Sequence, residues 1–173
     1  GLPELSDDGL TYTFRIRDDA RFTDDPAFPD GVGRALTVHD FIYSLKRHFD
    51  PEQRSQGAWL WAGRIRGLDA WGERGADYAE PVEGLTAIDD HTLKIELTEP
   101  YPQLVYTLAT AFSALVPREA VEYYGREFGV KPVGSGPFRL ESFNNTLARF
   151  TRNPYFRREP LDLATEGFDI EQH

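Results

Sequence analysis

From Val82 to Leu97 the chain reads VEGLTAIDDHTLKIEL, and in its second half the apolar residues fall at every other position. Leu93, Ile95 and Leu97 alternate with Thr92, Lys94, Glu96 and Thr98. Successive side chains of a strand point to opposite faces, so this pattern puts one face in a core and the other toward water. Asp89-Asp90 supplies the turn, and the spacing predicts a β-hairpin.

A second alternation, Tyr12, Phe14 and Ile16 against Thr11, Thr13, Arg15 and Arg17, predicts another half-buried strand. The following DDARFTDDPAFPDGVGR is rich in Asp, Pro and Gly and is expected to be a loop. Thr37 then stands three residues before Asp40 in the spacing of a capping box. Val38, Phe41, Ile42, Leu45 and Phe49 form one helical face, and Asp50-Pro51 ends it. Gln56 to Trp71 is expected to be helical, broken or bent near Gly63 and Gly67, and holds all three tryptophans. The Gly, Glu and Asp of Gly72 to Pro81 predict a surface connection. A short helix is predicted near Pro102, with Leu104, Val105 and Leu108 inward, and another from Pro117 to Gly125. Lys131 to Pro137 (KPVGSGP) is expected to be a linker or sharp crossing. Phe138 to Phe143 and Leu147 to Thr151 are predicted to pair around Asn144-Asn145. There is no internal repeat and no low-complexity segment.

A chain of 173 residues can make one domain, or one lobe and part of another. At 40% hydrophobic and 13% aromatic, it can build a packed core. A net charge of -10 argues against a general nucleic-acid or anionic-membrane binder, because phosphate contacts need a basic face. The absence of cysteine excludes disulfide scaffolds, thiol nucleophiles and cysteine-ligated metals. No apolar run approaches the roughly 20 residues of a membrane helix, so no direct membrane insertion is expected. Gly1 is not a natural start, and Leu161 to His173 is polar with no closing element, so an internal piece of a longer protein is expected.

Catalytic patterns are absent from the sequence. His39, His48, His91 and His173 fall in no metal-ligand spacing, and neither metal nor cofactor is expected. Asp7-Asp8, Asp18-Asp19, Asp24-Asp25 and Asp89-Asp90 are adjacent pairs. Two carboxylates used for glycoside hydrolysis stand roughly 5–9.5 Å apart across a cleft, so turn or solvated roles are expected here. Gly134-Ser135-Gly136 is neither a phosphate loop nor a GxSxG elbow. Its glycines free the backbone and Pro137 fixes one dihedral, which suits a hinge, a lobe crossing or a tight turn. Trp59 and Trp61 are the candidate ligand contacts. Two residues apart on a helix they cannot share a face, which leaves one for the core and the other either for a ligand or for the core as well.

Taken in order, Leu10 to Phe22, Leu36 to Leu45, Gly84 to Leu97, Val116 to Val121, Gly134 to Leu140 and Arg152 to Phe156 resemble the extracellular solute-binding proteins of the oligopeptide and dipeptide type (family 5). The similarity covers nearly the whole chain. It implies a mixed α/β fragment resembling a type II periplasmic binding protein. Residues 1–130 would form most of the smaller lobe, and 131–173 a crossing and hairpin of the adjacent lobe. It implies capture of short peptides, or a related small solute, for an ABC transporter permease, outside the cytoplasm and with a lipid anchor as one arrangement. Gln56 to Leu60 resembles the segment facing the family's cleft, which favours Trp59. Nickel-binding members carry an arginine before the Val-Pro helix, whereas Thr110 to Ala114 has none. The family's residues for a ligand's charged end lie in a later half absent here, so this piece alone is expected to bind weakly. Two alternatives differ in class. A hydrolase would need a nucleophile–base or metal constellation, and none is seen. The ligand-sensing domain of a transcriptional regulator would need a helix-turn-helix outside these residues.

Overall fold

A computed structural model describes residues 2–144 and 146–157. Four antiparallel strands form one sheet in the order β1-β2-β4-β3: β1 (Glu4–Leu5), β2 (Thr11–Arg15), β3 (Leu85–Ala87) and β4 (Thr92–Glu96). Tyr12 lies opposite Ile95, which lies opposite Leu85, and the next row is Phe14, Leu93 and Ala87. Partners across a ladder share a face, so both rows meet the core, and Tyr12, Leu85, Leu93 and Ile95 are buried. Lys94 and Glu96 stand on the opposite face and pair at 3.4 Å.

Helix α1 (Val38–Lys46) covers the buried face. Thr37 is extended (φ -127°, ψ 168°), and the Asp40 carboxylate accepts its backbone N–H at 2.8 Å, the reciprocal bond the sequence predicted. Val38 and Leu45 are buried, while Phe41, Ile42 and Phe49 pack around them. Helix α2 (Leu68–Glu73) adds Leu68 and Trp71 to the same core, and α3 (Leu104–Leu108) adds Leu104. Val105 and Leu108 are only half-buried, and Thr107 takes a buried place beside Leu104. Helix α4 (Arg118–Tyr124) starts after Pro117 and stops at Gly125, whose φ is 51°. The architecture is mixed α/β, as expected.

Two segments depart from expectation. Gln56 to Trp71 is broken at Gly63 and Gly67, as expected, but less of it is helical than expected: it holds a 3-10 turn at Ala58–Leu60, and α2 begins only at Leu68. Gly63 and Gly67 sit at φ 71° and 74°, which a continuous right-handed helix forbids. Between them the backbone joins the sheet, with Arg66 N–H donating to Glu96 O at 3.0 Å and Ile65 bridging to Leu97. Sheet pairing satisfies polar groups that a helix would have satisfied within itself. Gly72 to Pro81 is also more than a surface connection. Ala76 is buried, and the Trp71 indole N–H donates to Asp77 O at 2.9 Å.

A second cluster joins Phe22, Phe28, Leu36, Ala120 and Val133, bringing the long loop and α4 together beneath 131–137. Strands β5 (Phe138–Phe143) and β6 (Ala148–Arg152) then pair, among the described residues, only with each other. Asn145, at the centre of the predicted turn, lies outside the described residues.

Candidate functional site

The Trp59 turn is closed by Leu60 N–H donating to Gly57 O at 3.1 Å and Trp61 N–H to Ala58 O at 3.0 Å. So tight a turn sends side chains two apart in divergent directions. Trp59 is 70% exposed and Trp61 0%. Trp61 therefore packs in the core, and the expectation of a ligand contact there gives way to a packing role. Its indole N–H is buried without a partner among the described residues. Trp59 offers its ring to solvent, as do Tyr106 and Phe112 nearby in sequence to one another.

The 134–137 segment is tied down rather than loose. Thr23 N–H donates to Gly134 O at 3.0 Å, and Asn153 N–H to Pro137 O at 2.8 Å. The buried Asn153 side-chain amide also donates to Gly136 O at 2.8 Å. Neither Gly134 nor Gly136 has a positive φ, and a Cβ added at either would meet nothing within 4 Å. This conformation does not itself require glycine there. Past Ser135 and Pro137, the Tyr155 hydroxyl donates to Asp24 at 2.5 Å, and the Arg21 guanidinium lies 3.9 Å over its ring. That hydrogen bond, then one from Gly33 N–H, holds the Asp24 carboxyl below the usual range.

An open groove of about 590 Å³ runs between α1 and α4, lined by Arg34, Tyr43, Lys46, Tyr78, Arg118 and Glu119 among others. Arg34 donates to both Asp40 oxygens (2.7 and 2.9 Å) and both Glu119 oxygens (2.5 and 2.8 Å). Its hydrogen bonds to Asp40, then Glu119, raise the guanidinium above its ordinary value, and Arg34 in turn lowers the Glu119 carboxyl. Burial lowers the Lys46 ammonium, which donates to Glu80 O at 2.5 Å. Burial, then donation to Asp50, raises the Tyr78 hydroxyl, and partial burial, then donation to Asp25, pushes Tyr124 up to about 12. Each of these groups already has an internal partner, which is the chemistry of a staple rather than of proton transfer.

The acidic pairs serve turns and ion pairs. Asp8 accepts from Ser6 and Leu10 N–H, Asp19 pairs with Arg17, Asp25 receives Ala27 N–H, and Asp89 accepts His91 N–H. His39 stands 3.8 Å from Asp90, and His173 lies outside the described residues. Among the described residues no group of three His, Asp or Glu can hold a metal ion. No described helix is long and apolar enough to cross a membrane. His48 meets Ser55 and the carbonyl of Phe112, with Gly57 beside them, and no sequence pattern marks this group. His48 and Phe112 are far apart in the chain, and neither falls in a motif.

Residues 2–165 match the bacterial extracellular solute-binding proteins, family 5 Middle. The chain belongs to this family. It is 30% identical over 142 residues to the glutathione-binding protein GsiB of Escherichia coli O1:K1, covering 82% of this chain and 23% of that protein. It is 35% identical over 124 residues to the periplasmic oligopeptide-binding protein OppA of Escherichia coli K12, covering 70% and 21%. Haemophilus influenzae OppA, in complex with the peptide RPPGFSPFR, superposes with a TM-score of 0.73 at 26% identity over 89% of this chain and 29% of that one. This family-5 chain therefore spans less than a quarter of the length of those two curated relatives.

Proposed function

We propose that the chain is part of a periplasmic or otherwise extracytoplasmic protein that captures short peptides and delivers them to an ABC importer. The observation that carries this is the family match over 2–165. Relatives named for oligopeptides and for glutathione, itself a tripeptide, support peptide as the solute class. Residues 1–130 supply the smaller lobe, and 131–173, of which 158–173 lie outside the described residues, are assigned to the crossing into its neighbour through Gly134, Ser135, Gly136 and Pro137. Trp59, standing out from a fixed turn, is this chain's ligand contact. A ligand touching both lobes favours the closed state by its differential affinity. Backbone hydrogen bonds to an extended peptide give affinity with little side-chain preference.

Native mass spectrometry of the complete protein, purified gently enough to keep what it carries, tests this reading. A ladder of small peptide masses is expected. A bound sugar or metal chelate, or a protein that stays empty when offered tripeptides, overturns peptide as the ligand.

A further inference from the structure

We propose that His48 is the positioning residue for Trp59, clamping the turn that aims the indole outward. The inference rests on the reading of Trp59 as a ligand contact. His48 Nε2 lies 2.7 Å from the carbonyl oxygen of Phe112, which can only accept, so Nε2 carries the proton. In the neutral ring Nδ1 is then the acceptor, 2.6 Å from the Ser55 hydroxyl, which donates to it. The Ser55 oxygen receives the Gly57 N–H at 3.1 Å. One imidazole thus joins the segment after α1, the 55–57 loop and the 3-10 turn Ala111–Ser113.

Gly57 is the hinge pin of this arrangement. Its φ of -95° is open to any residue, so room and not backbone freedom explains the glycine. A Cβ there would come within 2.6 Å of Phe112 Cδ1 and 2.8 Å of His48 Cε1, closer than such atoms approach. The Gly57 carbonyl then accepts Leu60 N–H and starts the Trp59 turn. With its ring in solvent, Trp59 takes its direction from that turn. A side chain that presents an aromatic face to a ligand contributes most when it is already held in place.

The test uses the complete protein and two readouts: time-resolved fluorescence anisotropy, with Trp59→Phe identifying the Trp59 signal, and calorimetric titration with trialanine. His48→Ala and Gly57→Ala are expected to enlarge the fast depolarisation of Trp59. They should also weaken trialanine by about tenfold, the order of one lost hydrogen bond. His48→Gln, which keeps a donor for Phe112 O, is expected to stay within about threefold of the parent. A merely structural histidine would lower the unfolding midpoint without this split between Ala and Gln. If His48→Ala leaves Trp59 anisotropy and affinity as in the parent, the positioning role is overturned. If Trp59→Ala binds trialanine normally, the ligand-contact reading fails, and the inference with it. Weak binding by Trp59→Ala beside parent-like His48→Ala overturns the inference alone.

Discussion

In the four-stranded sheet, Leu85, Leu93 and Ile95 are sealed beneath α1, α2 and α3, whereas in the β5–β6 hairpin Phe138, Phe143 and Phe150 are 57–63% exposed. Both regions have strands with regular antiparallel partners, apart from a register shift between Leu140 and Ser142. They differ in cover. Ladder hydrogen bonds replace those to water and return little net stability, while apolar burial contributes about 25 cal/mol per Å². A two-stranded ribbon without a layer over it is marginal. The sheet is thus the scaffold of this chain, while the hairpin's aromatics stay uncovered among the described residues, and the adjacent lobe proposed above would cover them.

The sharpest way to break this comparison is to remove one large aromatic from each region. Trp61→Ala is expected to cost about 3–5 kcal/mol, because it empties a fully buried site. Urea unfolding of the 173-residue chain would read it, and a cost similar to that of a hairpin substitution would erase the distinction.

Arg34→Ala comes next. It strips the cation from Asp40, whose side chain is only 4% exposed, while Arg34 itself is 36% exposed. The cost should therefore be about 2–3 kcal/mol, below the range for a fully buried pair. The same cluster makes stability depend on pH. Glu119 has its folded value lowered from 4.5 by Arg34. Its contribution is full above the unfolded value and is lost as pH falls through the lower folded one. Urea midpoints followed from pH 6 to pH 3 should fall less steeply in Glu119→Gln than in the parent. Equal slopes would remove Glu119 from the acid response.

Phe150→Ala closes the series, at under about 0.5 kcal/mol. Its effect should appear in association instead. The exposed hairpin is expected to make the 173-residue chain self-associate, and Phe138→Ser with Phe150→Ser to reduce that by light scattering. A monodisperse parent would count against the hairpin as a sticky face.

The parts that could be read from sequence are those governed by neighbours along the chain. The period-two runs at 11–17 and 92–98, the Thr37–Asp40 cap and the Gly125 stop depend on local geometry: the cap and stop formed as expected, and the runs formed strands over Thr11–Arg15 and Thr92–Glu96. In Gln56 to Trp71 the breaks at Gly63 and Gly67 could be read, but not the sheet pairing between them, where Arg66 finds partners in Glu96 and Gly84. The divergence of Trp59 from Trp61 was foreseeable from their spacing. The His48 clamp was not, since Phe112 O is brought to it by the packing of distant segments. The exposure of the hairpin was equally hidden, because alternation shows that a face is apolar and not what covers it.

The most direct test of the central claim is hydrogen–deuterium exchange of the complete protein with and without saturating trialanine. The account predicts slowed exchange across 56–62 and 134–137, with β2 and β4 unchanged. Saturation that leaves 56–62 exchanging at its unliganded rate would contradict it.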